Sequence, residues 1–136
     1  MSWTPELRDA LGELLEGLVG DDLLTVLPRG PRGPFQPPVA VMGMPDVEWG
    51  DYLCTDLVRL DVTVVVRDHP DGPAASIAEL EGLWPQVAGR LRAHIDRDPT
   101  LGGLVTSVRM ARADFGDYAV QGKAYAAQNI TLEFHV

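Results

Sequence analysis

Between Ile77 and Met110 the chain carries a helical stripe that stops at a glycine pair and restarts as an alternating strand. Ile77, Leu80, Trp84, Val87, Leu91 and Ile95 recur at steps of three and four residues, which puts them on one helical face. Glu79, Gln86, Arg90, Arg92 and Asp96 point elsewhere. An apolar helical face of this length needs a sheet to cover. In Asp98-Pro99-Thr100-Leu101-Gly102-Gly103 the two glycines take positive φ at little cost and turn the chain back onto its own helix. Leu104, Thr106, Val108 and Met110 then fall on one strand face, so that helix, reversal and strand form one packed unit.

The other elements are arranged around that unit. Thr4 is a plausible N-cap with Pro5 at the first helical position, and Leu7, Leu11, Leu14, Leu15 and Leu18 mark an amphipathic helix ending near Gly20. Leu23 to Leu27 is either an extended segment or one more helical turn, the extended form being preferred. Val39 to Met42 reads as a short strand stopped by Gly43 and Pro45, and Asp46 to Thr55 as a surface loop. Trp49 in that loop is either a rim contact or a local plug. Val58, Leu60, Val62, Val64 and Val66 alternate with Arg59, Asp61, Thr63 and Arg67, the signature of a half-buried antiparallel strand. Asp71 or Gly72 caps the second helix, with Pro73 near its first position. Pro85 predicts a kink or two shorter helices end to end. Asp114-Phe115-Gly116-Asp117 predicts a turn or a longer loop reaching Gly122, after which a last strand alternates cleanly to Val136.

This order predicts one domain over residues 1–136: an α+β fold with a mainly antiparallel sheet of about four strands and two helices packed on one face. At 136 residues such a domain buries roughly two thirds of its unfolded surface. The lone Cys54 allows no intrachain disulfide and reads as a passive, packed thiol. Thr4, Pro5, Glu6 and Arg8 stand where a signal peptide would place a basic start and an apolar run, and no stretch is long and apolar enough to span a membrane. The net charge of −9 argues against a basic nucleic-acid-binding surface.

Pro28, Pro31, Pro34 and Pro37 repeat every third residue, the polyproline II period, with Arg29, Arg32 and Phe35 between them. Fully extended, an arm over 28–38 would reach about 30 Å. It is a solvent loop, a ligand for a proline-binding module, or an assembly contact.

No residue pattern points to chemistry. His69, His94 and His135 match no ligand spacing, and the Asp68, His69, Asp71 cluster is what a turn into a helix calls for. Gly102-Gly103 lacks the Lys-Ser/Thr of a phosphate loop and leads into a strand. Ser2, Ser76 and Ser107 stand in no nucleophile elbow. Neither a metal nor a cofactor is expected, and no enzymatic activity.

The N-terminal helix, the proline-bearing segment before Pro38-Val39-Ala40-Val41-Met42, the valine-rich strand, and the helix leading to Asp98-Pro99-Thr100-Leu101-Gly102-Gly103-Leu104-Val105 together resemble the tail terminator (tail completion) proteins of long-tailed bacteriophages. A segment with Tyr118 and Gly122, then Tyr125 and a closing strand from Ala127 to Val136, is similar to the last hairpin of that family. The resemblance implies a homo-hexameric ring in the virion, at the head-proximal end of the tail. Such a ring sits on the last ring of tail tube protein, stops its polymerisation and docks a neck or head-completion protein. Assembly would take place in the host cytoplasm, with DNA passing through the ring without specific binding and no membrane involved. On this view Arg29, Arg32, Phe35, Trp49 and Tyr118 are candidate assembly contacts. Asp46, Glu48, Asp51, Asp114 and Asp117, taken as loop residues, are candidates to line the channel, where carboxylates repel DNA over a screening distance of about 8 Å. The rivals are a neck or head-completion protein on the portal side of the joint and, from a different class, a cytoplasmic adaptor domain using its proline-rich arm.

Overall fold

A computed structural model describes residues 3–20, 22–30, 35–50 and 56–136. Helix α1 (Pro5–Leu15) starts as its sequence demands: the Thr4 hydroxyl accepts the Leu7 amide hydrogen at 3.1 Å and Pro5 opens the first turn. It widens into a π-helical segment over Glu16–Gly20. Helix α2 (Pro73–Arg97) begins behind Gly72 and runs unbroken through Pro85, so the expected division into two helices does not occur. The six strands are β1 (Thr25–Leu27), β2 (Val39–Met42), β3 (Asp46–Glu48), β4 (Leu57–Val65), β5 (Ser107–Val120) and β6 (Lys123–His135).

These strands form one mixed sheet in the order β1-β2-β4-β6-β5, with β3 also paired to β4. The α+β class stands, but the expectation of about four mainly antiparallel strands is overturned by two short ones. Strand β1 is parallel to β2, so the chain must cross over between Leu27 and Val39. Three residues need little chain to return along them, so an eleven-residue connection suffices. Strand β3 pairs Asp46, Val47 and Glu48 with Arg59, Val58 and Leu57, where a loop was expected. Neither short strand is long enough to print an alternation in the sequence.

The second correction concerns the end of the chain. Asp114, Phe115, Gly116 and Asp117 are not a turn but the middle of β5, which pairs with β6 along nearly its whole length. Turn-type residues are tolerated there because β5 is an edge strand and half solvated. The reversal is the two-residue loop Gln121-Gly122, with φ of +52° and +78°, the geometry that tight hairpins favour. The residues before β5 turn as expected, with Leu101, Gly102 and Gly103 all at positive φ, although Leu104 and Thr106 precede the strand instead of belonging to it.

Both helices cover the same face of the sheet. Leu7, Leu11 and Leu15 of α1 and Leu80, Val87 and Leu91 of α2 pack on Val58, Leu60, Val62, Val64, Ile130 and Phe134. Ile77, expected in this stripe, remains 38% exposed at its end. Arg90 ties the helices together, donating to the Leu18 carbonyl at 3.0 Å and to both Asp22 carboxylate oxygens at 2.6 and 2.8 Å. Helix α2 lies mainly over β6 and β4, leaving the helix side of β5 partly uncovered.

Candidate functional site

The sheet face turned away from the helices has two zones. At one end Val39, Val41, Val65 and Ala127 form a small second core, covered by Phe35, Tyr118 and Tyr125. The Phe35 ring stands 5.2 Å from Tyr125 in an edge-on arrangement and 6.1 Å from Tyr118. Burial pushes the Tyr118 phenol above its ordinary pKa.

The other zone is polar and ordered by strand register. Glu133 of β6 faces Arg59 of β4 on one side and Arg109 of β5 on the other. Arg59 Nε donates to Glu133 at 2.9 Å, and Arg109 is ion-paired to its other oxygen. Burial alone would raise Glu133, but the hydrogen bonds and charges of Arg109 and Arg59 outweigh it and hold the carboxyl below its usual range. Thr131 donates to Asp61 at 2.7 Å and Thr63 to Asn129 at 2.6 Å, so the polar rows are paired across β4 and β6. Among the described residues no buried side-chain polar atom lacks a partner.

The candidate contact residues fall into three places. Arg29 is ion-paired to Asp9 of α1, and Phe35 lies against its own sheet, so these two parts of the arm contact this chain. Arg8, buried in α1, donates to the carbonyls of Pro28 and of Gly43, the latter at 2.6 Å, and so fixes the start of the same segment. Trp49 follows β3 and is 78% exposed, with Met44 before the strand at 85%. Tyr118 sits on β5 in the small core. Arg32, Asp51 and Cys54 lie outside the described residues.

The acidic candidates do not form one cluster. Asp46 and Glu48 are exposed on β3, whereas Asp114 and Asp117 are exposed on β5 at the opposite edge of the sheet. Asp114 is paired with Arg112 at 3.1 Å. Between α2 and β5 runs a shallow groove lined by Ile77, Trp84, Met110, Ala113 and Phe115 and bordered by Arg92 and Arg112. The sequence reading missed this groove, because it placed residues 114–122 in a loop and so gave β5 too little length to present an edge.

Among the described residues no three His, Cys, Asp or Glu side chains are grouped so as to hold a metal ion. An apolar cavity of about 30 Å³ lies between the helices and the sheet, bounded by Leu15, Met42, Val62, Leu91 and Phe134. No helix among the described residues is long and apolar enough to cross a membrane. No family model and no curated protein matches the chain.

Proposed function

We propose that this chain is a structural virion protein whose copies form a ring on the head-proximal end of a long bacteriophage tail. The ring stops polymerisation of the tail tube protein and presents its other side to a neck or head-completion protein. It does no chemistry; DNA passes through it unread. The resemblance of the sequence to tail terminators motivates the reading, and one structural observation carries it. Large apolar side chains stand exposed in two regions: Met44 and Trp49 at the two ends of β3, and Phe115 with Ile77 at the groove between β5 and α2. Monomers rarely leave large apolar side chains grouped in solvent without a partner. Two unlike exposed regions on different flanks of the sheet suit a head-to-tail contact, which closes into a ring when the rotation per copy allows.

The adaptor reading is weaker, because Phe35 and Arg29 of the arm are engaged by this chain's own sheet and helix. Electron microscopy of particles made without this protein is the test. Overlong tails are expected; tails of normal length carrying unjoined, leaking heads would assign the chain to the neck instead.

A further inference from the structure

Strand β5 is the outermost strand on its flank of the sheet, and among the described residues nothing pairs along its outer edge. From Ala111 to Phe115 five consecutive residues of it are exposed, so both faces of this stretch meet solvent as well as its edge. Arg112 and Asp114 stand opposite Thr131 and Asn129 of β6, on the face away from the helices, and are ion-paired to each other at 3.1 Å. Ala113 and Phe115 stand on the helix face, opposite Ile130 and Gln128. The ladder to β6 skips Ala111, an extra residue beside Met110. Here the groove under α2 opens into a recess lined by Trp84, Ala88, Met110, Ala111 and Ala113. Phe115, 59% exposed, lines the neighbouring part of the groove and leaves this recess unfilled.

The geometry points to a two-fold pairing of the free protein, with β5 of one copy laid antiparallel along β5 of a second and Ala113 opposite Ala113 on the axis. An unpaired edge is a template for another strand, and a two-fold contact needs a strand that complements its own reverse. This one does. In that register Arg112 of each copy faces Asp114 of the other, and the two Arg112–Asp114 pairs become a square of four charges with alternating signs. Opposed residues share a face, so the axis can move only from one residue to the next. An axis at Arg112 would set the two guanidinium groups against each other, and an axis at Asp114 the two carboxylates. With the axis at Ala113, Phe115 of each copy lies across from Met110 and Ala111 of the other, at the recess that each chain leaves unfilled. No strand extends past β5 on this flank, and α2 lies back over β6 and β4, so the two sheets meet without obstruction. The inference goes beyond the ring reading. The pair occupies the Phe115 region that a head-to-tail contact would use, so a copy must leave its partner before joining a ring, and pairing holds the free protein back from closing rings away from a tail.

Disulfide trapping tests the register. In a Cys54→Ser background, Ala113→Cys places two thiols on the axis. Opposed residues of an antiparallel ladder have Cα atoms about 4.5–5.5 Å apart, inside the span of about 4.4–6.8 Å that a disulfide bridges. Mild oxidation is expected to give covalent dimers. Ala119→Cys, also exposed on β5, is the control: at a rise of about 3.3 Å per residue its two copies stand about 40 Å apart and should give none. No dimer from Ala113→Cys, or equal yields at both positions, overturns the inference. A free wild type that sediments as a hexamer instead of a dimer overturns it too, yet leaves the ring reading standing. Charge exchange gives an independent test. Arg112→Asp and Asp114→Arg each set like charges opposite one another, and each alone is expected to self-associate about tenfold or more weakly than the wild type. Thermal unfolding should change little, because the Arg112–Asp114 pair is exposed. Mixed in equal amounts, the two variants are expected to pair with each other at close to wild-type strength. Undiminished association of either alone, no recovery in the mixture, or a wild type that stays monomeric at millimolar concentration defeats the proposal.

Discussion

Arg59 and Glu133 face each other across β4 and β6 and are joined by a 2.9 Å hydrogen bond on the sheet face away from the helices. With Arg109 on the far side, the buried carboxylate is clamped between two guanidinium groups. This relationship joins the middle of the sheet to its outer edge and makes the polar face sensitive to pH.

Because the folded-state pKa of Glu133 is depressed, its contribution to stability is present above the unfolded-state pKa and is lost as pH falls through the folded value. Thermal melts should show stability dropping below about pH 4, the ordinary range for Glu. Glu133→Gln should cost about 1 kcal/mol at neutral pH, a modest figure because both arginines are partly solvated. It should also flatten the acid limb of the Tm profile. An acid limb as steep as the wild type's would assign the acid sensitivity to other carboxylates.

Two helical glycines should respond to alanine with opposite signs. A Cβ at Gly82 meets nothing within 4 Å, so Gly82→Ala should stabilise by up to about 1 kcal/mol through helix propensity. A Cβ at Gly12 would stand 2.8 Å from Pro28 Cβ, and Gly12→Ala should therefore destabilise by about 1 kcal/mol after the propensity gain is counted. Urea unfolding of the pair reads both signs directly.

Arg8→Met keeps the bulk of the side chain but leaves the Pro28 and Gly43 carbonyls without their donor. A loss of about 3 kcal/mol is expected. Amide exchange at Arg29 and Gly30 should accelerate more than exchange in β4 or β6.

Phe35→Ala should lower the stability of the isolated domain by about 2 kcal/mol, since the ring covers the small core and is only partly buried. If Phe35 instead served only a neighbouring subunit, the isolated domain would melt unchanged.

Val62→Ile adds one methylene beside the cavity of about 30 Å³ and should raise stability by about 0.5–1 kcal/mol. A loss would mean that the cavity cannot be reached from β4 without strain.

Where periodicity was long, it predicted the structure: α1 with its Thr4 cap, the alternation of β4, the stripe of α2 and the closing strand are all present. Where elements were short, or local residue preference opposed tertiary pairing, it did not. Three residues of β3 carry no readable period, and Asp114-Phe115-Gly116-Asp117 looks like a turn until β6 pairs with it. The row of charges across the sheet was hidden for a related reason. Arg59 was visible as a polar-face residue, but only register brings Asp46, Arg59, Glu133 and Arg109 into one line. Trp49, read as either a rim contact or a local plug, is 78% exposed and so plugs nothing in its own chain.

The central place of β6 governs the order in which the molecule can be made. It is the last element in sequence, yet it lies between β4 and β5. As the polypeptide emerges from the ribosome, a strand as apolar as β4 must wait with one flank bare until some sixty later residues have been synthesised. A nascent chain stalled near the hairpin would display that flank as a sticky template. Fragments cut before Lys123 should therefore aggregate, because the sheet closes from its middle.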